Sequence, residues 1–325
     1  MATAQRDAAQ LSTASLDIQN RQVVEDLQHR IEQLESKLNT YMAFDSDPFL
    51  NNKITSKCRN MTNLSTYCHK PNQKDCSMGD MKLCLPDIRL NDCTVYDFGI
   101  REEPDFGVIL SKPPFNCQVF AFDPSPITKA WFERNKDLQA LDNYRLFYYG
   151  GGAHDETIEL REYDWGQVSI YQYPASVINA SNCHPDDGPY KGKCRFSKFG
   201  RQKIHPLPVR SIPSLMQEFG HERIDVLKLD VEGSEYRMLE TLITSGACRT
   251  IDQLTLEWHH FGWDLRYGHG SDPHLNVLHR LLLEECGLHQ FALHSPTGWP
   301  SNEKMFADME LPLYYNLASF RRKVE

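Results

Sequence analysis

The sequence predicts an α/β fold in which helices cover a mainly parallel sheet. From Cys93 onward, short apolar runs of strand length alternate with amphipathic stretches of helical length. Several of those runs stop at an acid or a glycine, as buried strands do when they emerge at a shared polar rim. The 325 residues are 40% hydrophobic and 11% aromatic, enough to fill a sizeable core.

The elements follow in order. Residues 1–20 are rich in Ala, Gln and Ser, a composition that predicts disorder. Val24, Leu27, Ile31, Leu34, Leu38 and Tyr41 then recur at spacings of 3, 4, 3, 4 and 3, which predicts a heptad helix over residues 21–45. Arg30 and Glu35 sit where a cross-helix pair would form. So short a seam supports two readings. One is a coiled-coil stalk joining copies of the chain through residues 24–41; the other is a single amphipathic helix.

Residues 46–92 form a cysteine-rich connector. Cys58, Cys68, Cys76, Cys84 and Cys93 are spaced 10, 8, 8 and 9 apart, without the close pairs of a structural zinc site, so disulfides are expected. Cys183 and Cys194 flank a second polar loop, where a local bridge is expected. Asn60, Asn63 and Asn179 head glycosylation sequons. Cysteines and sequons together favour the secretory pathway, either the Golgi lumen or the extracellular space. Against that, residues 1–22 hold no hydrophobic signal core and no run is long enough to span a bilayer, so a cytoplasmic location stays open. A net charge of −9 argues against nucleic acid as a partner.

Residues 93–325 carry the alternation. Strands are expected at Thr94–Phe98, Val119–Asp123, Arg145–Tyr149, Ile224–Asp230, Leu254–Glu257, His289–His294 and Tyr314–Phe320. Helices are expected at Thr128–Leu141, Ile212–Phe219, Ser234–Thr244 and His274–Cys286. The last two strands are joined without an obvious helix, which predicts a late reversal. Residues 163–206 break the rhythm and read as an insertion.

In open parallel sheets, ligands bind beyond the carboxyl ends of the strands. Asp97-Phe98-Gly99, Asp123, Gly150–Gly152, Asp230 and Glu257 all close strands, so one acidic cleft is expected. Gly99 would let the backbone approach a ligand, or simply make a tight turn. Asp123 stands where an acid can accept both hydrogen bonds of a ribose diol. Lys228 and Asp230 share a face of their strand, and a lysine in so apolar a run needs an acidic partner. Glu257 and His259 close the next strand, with chemistry suited to a hydroxyl base or, through Asp230 and Glu257, a divalent cation.

Four segments then carry a resemblance: Val-Tyr-Asp-Phe-Gly-Ile (95–100), Val-Phe-Ala-Phe-Asp-Pro-Ser (119–125), Gly-Gly-Ala-His-Asp (151–155) and Asp-Val-Leu-Lys-Leu-Asp-Val-Glu-Gly-Ser-Glu (225–235). In this order they resemble the methyltransferase-like proteins related to FkbM-type methyltransferases, of the class I S-adenosylmethionine-dependent fold. The resemblance covers residues 84–322 and leaves out the heptad segment. It implies a Rossmann-like seven-stranded sheet, six strands parallel and one antiparallel, with helices on both faces. It further implies that S-adenosyl-L-methionine lies over the first two strand ends. Asp97 and Gly99 would line its methionine end and Asp123 its ribose, with His154 and Asp155 near the adenine. Asp230 and Glu232 would face the acceptor, and His259, from its place at a strand end, is expected to join them in acceptor-side work. The implied reaction is O-methylation of a carbohydrate or small-molecule hydroxyl. The first segment departs from the family pattern, running on as Ile-Arg-Glu-Glu-Pro without further glycines. The alternative is therefore an inactive cofactor-binding or structural protein on the same scaffold.

Overall fold

The computed structural model describes residues 58, 61–64, 81–162, 168–169, 203–231, 233–261, 273–294 and 313–322, with five positions between 28 and 36. The chain divides into two units, residues 1–48 and 49–325. Of the first unit, Gln28, His29, Glu32, Gln33 and Ser36 are described, all helical. The apolar seam from Val24 to Tyr41, the expected disorder over residues 1–20, the Cys183–Cys194 bridge and Glu232 lie outside the described residues.

The second unit is built on a seven-stranded sheet. Its chain order begins with a short hairpin, β1 (Met61–Asn63) against β2 (Lys82–Cys84), then β3 (Thr94–Phe98), α1 (Asp105–Ser111) and β4 (Gln118–Phe122). There follow α2 (Pro126–Arg134), α3 (Lys136–Gln139), β5 (Tyr144–Phe147), β6 (Gly150–Gly151), β7 (Glu156–Glu162), β8 (Val168–Ser169) and β9 (Lys203–Arg210). The remainder is α4 (Ile212–Phe219), β10 (Ile224–Leu229), α5 (Glu235–Ser245), β11 (Ile251–Phe261), α6 (Pro273–Glu284), β12 (Leu288–His294) and β13 (Leu313–Arg322).

The main sheet runs β12-β13-β11-β10-β3-β4-β5. β13 is antiparallel to both neighbours and the other pairs are parallel, so the sheet is mixed, with one reversed strand among seven. The late reversal expected from the sequence is this β12–β13 pairing.

Strand alternation sorts the two faces. Val95, Val119, Ala121 and Val226 face one way, into a core with Phe106 and Leu110 of α1, Leu138 of α3 and the connector residues Leu64, Met81, Leu83 and Ile88. Tyr96, Phe98, Phe120, Phe122 and Phe147 face the other way. There Phe219 of α4 closes on them, its ring 5.0 Å from those of both Phe120 and Phe147. Helices thus cover both faces, as an apolar sheet requires.

Two differences from the sequence expectation have local causes. The helix expected over Thr128–Leu141 is broken at Asn135, whose backbone leaves the helical region and whose side chain accepts the Leu138 N–H to start a new turn. The glycines 150–151, read as loop, form a strand paired with β9 in a separate sheet of order β6-β9-β7-β8. That sheet takes in both ends of the expected insertion.

Three disulfides join described residues: Cys58–Cys84, Cys93–Cys117 and Cys248–Cys286. They are consistent with a secretory-pathway location. No helix among the described residues is long and apolar enough to cross a membrane.

Candidate functional site

Chain direction locates the site. From β3 the chain winds outward through β4 and β5, then returns to lay β10 and β11 on the other side of β3. The strand order therefore reverses between β3 and β10, and the crevice at such a switch point is where open α/β sheets bind ligands. Asp97 and Lys228 are register partners across that boundary.

Lys228 is fully buried, with its ammonium 3.3 Å from Asp97 Oδ1 and 3.6 Å from Asp230 Oδ2. It donates to the carbonyls of Gly99 at 2.7 Å and Phe98 at 3.2 Å. Burial pulls its pKa down, but Asp97, Asp230 and Glu257 outweigh this and hold the ammonium above its ordinary range. For Asp97, burial dominates: it pushes the carboxyl up to about 6 against the pull of Lys228. No well-aligned hydrogen bond reaches either Asp97 oxygen, and the nearby Tyr144 hydroxyl is likewise buried without one. The ion pair with Lys228 is the compensation for that carboxylate.

The tips of β3, β4 and β10 are stitched together by backbone. Gly99 N–H donates to Phe122 O at 3.0 Å, Asp230 N–H to Phe98 O at 3.2 Å and Asp123 N–H to Phe147 O at 3.0 Å. Gly99 has φ +80°, and a Cβ there would lie 1.6 Å from the Asp230 carbonyl oxygen. Only glycine lets the two strands approach so closely.

Asp123 is buried and fully engaged. Its Oδ2 accepts the amides of Ile100 at 3.0 Å and Arg101 at 2.5 Å, and its Oδ1 accepts that of Ser125 at 2.7 Å. Burial raises its pKa, against the lowering effect of these amide bonds. With Ile100 and Arg101 so placed, the carboxylate does not fit a ribose diol, which needs both of its oxygens. Asp230 is more open, its side chain 13% exposed.

The remaining expected site residues divide. Asp155 serves the β9–α4 junction: it pairs with Arg210 at 2.8 Å and accepts from Ser211 N at 2.9 Å and Ser214 Oγ at 2.5 Å. Burial pushes its pKa up, but these donors outweigh that and hold it below the carboxylate range. His154 is exposed. Glu257 is half-buried on β11, one strand beyond β10, and its charge reaches Lys228. His259 lies further along β11, and its side chain falls outside the described residues. Among the described residues no group of three or more His, Cys, Asp or Glu is placed to hold a metal ion. The Asp230–Glu257 pair proposed for a cation gains no third ligand there.

Sequence reasoning missed Glu235. It is fully buried and accepts the Gly233 N–H at 2.8 Å, shaping the turn from β10 into α5. An acid two residues after a glycine at a strand-to-helix turn was the available signal. It also missed Tyr144, for which nothing in the local pattern stood out.

The described residues thus form a Rossmann-like α/β sheet with an acid–lysine cluster at its switch point. The chain matches the model of the methyltransferase FkbM domain over residues 115–288, more than half its length, and belongs to that family. It is 27% identical over 236 residues to the human probable methyltransferase-like protein 24, covering 70% of this chain and 49% of that protein. The rat counterpart is 27% identical over 184 residues, covering 54% of this chain and 38% of the relative. The chain thus spans half or less of the length of these curated relatives. Among solved structures it is similar to a methyltransferase FkbM from Methylobacillus flagellatus, with a TM-score of 0.38 and 11% identity over 71% of this chain and 44% of that one. It is also similar to Aeropyrum pernix fibrillarin in complex with S-adenosyl-L-methionine, with a TM-score of 0.35 and 10% identity over 71% and 67% of the two chains.

Proposed function

We propose that this chain is an S-adenosylmethionine-dependent methyltransferase that methylates a hydroxyl of a carbohydrate or small molecule in the secretory pathway. Membership of the FkbM methyltransferase family supports the reaction class. The observation that supports the assignment of the site is that Asp97 and Asp230 flank the buried Lys228 at the tips of β3 and β10, with Asp123 closing the adjacent β4.

The cofactor, when bound, supplies an activated methyl group. The chain's own part is to align the acceptor oxygen and take its proton. Asp230, Glu232 and His259 stand on the acceptor side of this reading. Lys228 acts on the scaffold: by binding the carbonyls of Phe98 and Gly99 it fixes the β3 tip against β10. The disulfides supply the reason for the compartment.

A second reading, a scaffold without catalysis, is favoured by one observation. The Asp97 and Asp123 carboxylates are both engaged within the protein. Calorimetry with S-adenosylmethionine and a separate transfer assay on a glycan and small-molecule panel, read by the mass gain of one methyl group, distinguish the two. Binding with transfer is the expected result. Binding without transfer to any acceptor supports the scaffold reading, and no binding at millimolar cofactor defeats the cofactor assignment altogether.

A further inference from the structure

We propose that the Cys58–Cys84 disulfide is a site of thiol exchange, at which a low-molecular-weight thiol adds to Cys58 while Cys84 leaves as a thiolate held by Arg321. The site lies where β11 begins, away from the acids at the strand ends, and does not depend on the methyltransferase reading.

The two halves of this bond are built differently. Cys84 is fully buried and its backbone is clamped: its N–H donates to Gln253 Oε1 at 2.8 Å and its carbonyl accepts from Gln253 Nε2 at 3.0 Å. Its side chain packs with Phe291 and Ala292 of β12. Gln253 on β11 and Arg321 on β13 are register partners, with His289 at the matching position on β12. The glutamine takes the Cys84 backbone and the arginine takes its sulfur, Arg321 Nη1 standing 3.1 Å from Cys84 Sγ. That guanidinium is itself anchored, with Nε 3.0 Å from Oδ2 of Asp87, just after β2. Cys58, by contrast, is half-buried, so a solvent thiol approaches the bond from its side.

Thiol exchange proceeds by thiolate attack on one sulfur, and it is faster the lower the pKa of the thiol that leaves. Here the incoming thiolate bonds to Cys58 Sγ, the Cys58–Cys84 bond breaks, and its electron pair stays on Cys84 Sγ. The proton of the incoming thiol goes to solvent, and nothing is oxidised or reduced overall. Burial opposes an anion at Cys84, and the Arg321 guanidinium offsets it with a charge-assisted hydrogen bond. The other two disulfides have different surroundings. At Cys248–Cys286, Arg322 donates to the main-chain carbonyls of both cysteines, and Cys93 Sγ lies 3.8 Å from the Phe115 carbonyl oxygen, which would repel a thiolate. Because Gln253 holds Cys84 in place, its thiolate remains where it can attack Cys58 and expel the added thiol, so the exchange reverses.

The probe is reduced glutathione, added to the full chain under native conditions, with acid quenching, alkylation of open thiols and tandem mass spectrometry. The expected product carries glutathione on Cys58 and the alkyl group on Cys84. Glutathione on Cys84, or no adduct until the chain unfolds, overturns the proposal. Arg321→Gln should slow the exchange about three-fold or more, from a leaving-thiol pKa raised by about a unit or more. Asp87→Asn breaks the same ion pair but keeps the cation, and should exchange at least as fast as the unsubstituted protein. Equal slowing in both variants, or no slowing in Arg321→Gln, overturns the role of Arg321. The unsubstituted protein supplies a check free of any packing change. Once the disulfide is opened, alkylation of Cys84 followed against pH should give a pKa below the ordinary value of about 8.5, and a value at or above it overturns the thiolate.

Discussion

Replacing Asp97 by asparagine should flatten a specific part of the stability–pH curve. In the folded protein burial lifts this carboxyl from 3.8 to about 6. Below pH 3.8 it is protonated in both folded and unfolded chains and contributes no pH dependence. Between the two values the folded state holds the proton and the unfolded state does not, so stability falls as pH rises. Above about 6 the full penalty is in place. A shift of about two units at 1.36 kcal/mol each makes that penalty about 3 kcal/mol. Asp87 and Asp252, raised by burial against the pull of Arg321 and Arg223, titrate in the same sense. So does Asp123, while Asp155 opposes them. These terms are common to both proteins and cancel in the difference. The assay is urea unfolding of the two proteins, disulfides intact, at pH 4, 5, 6 and 7. The variant should gain about 3 kcal/mol on the unsubstituted protein between pH 4 and 7. A difference that stays flat across that range would refute the claim that Asp97 sits ionised against its own desolvation.

Gly99→Ala should be among the most damaging small substitutions in the molecule. Its Cβ would lie 1.6 Å from the Asp230 carbonyl oxygen, so a loss of about 4 kcal/mol or failure to fold is expected by thermal unfolding. Asp225→Ala removes the bidentate pair with Arg89 and the acceptor for Thr94 N–H, and should cost about 2 kcal/mol by urea titration. Under graded thiol, Cys58–Cys84 should open first. Cys58 is half-buried, whereas Cys93, Cys117, Cys248 and Cys286 are at most 2% exposed. Differential alkylation read by mass spectrometry checks the order, and early labelling of Cys93 or Cys248 would contradict it.

The main sheet was legible because its strands are buried on both faces and so read as nearly unbroken apolar runs. Thr94–Phe98 and the helix at Ile212–Phe219 coincide with their expected bounds. Strand β11 is longer than its apolar stretch, running from Ile251 to Phe261, because pairing with β13 continues past Glu257 to Phe261. Such cross-strand pairing is invisible to local pattern. The second sheet escaped for a related reason: Pro206 and Pro208 in β9 and the glycines of β6 argue against strands until their partners are known. Helix α1 was missed because Gly107 interrupts it. A Cβ at that position would meet Tyr144, Asp97 and Val119 at 2.8–2.9 Å, so packing against the sheet overrides the low helix propensity of glycine. At the site, the need of Lys228 for an acidic partner was readable from β10 alone. That the nearer acid is Asp97, a register partner on β3, follows only from the strand order.

Strand order also explains a division of labour between the two rims of the sheet. Cys93 and Cys117 precede β3 and β4, and Cys248 and Cys286 precede β11 and β12. Cys84 meets β11 near its start, where Gln253 bonds both its N–H and its carbonyl. The Arg89–Asp225 pair sits at the entrance of β10, and Arg322 donates to the carbonyls of Cys286, Cys248 and Ile251. Covalent and charged reinforcement is thus gathered where the parallel strands begin. The acids Asp97, Asp123 and Asp230 stand where strands end, held by hydrogen bonds and one shared cation. The two rims are joined through the core, since Ile100, just past the end of β3, is fully buried in the same cluster as Val95, Val119 and Val226. Among the described residues, the rim that carries the acids is thus shaped by noncovalent contacts alone, on a frame that disulfides hold at the opposite rim.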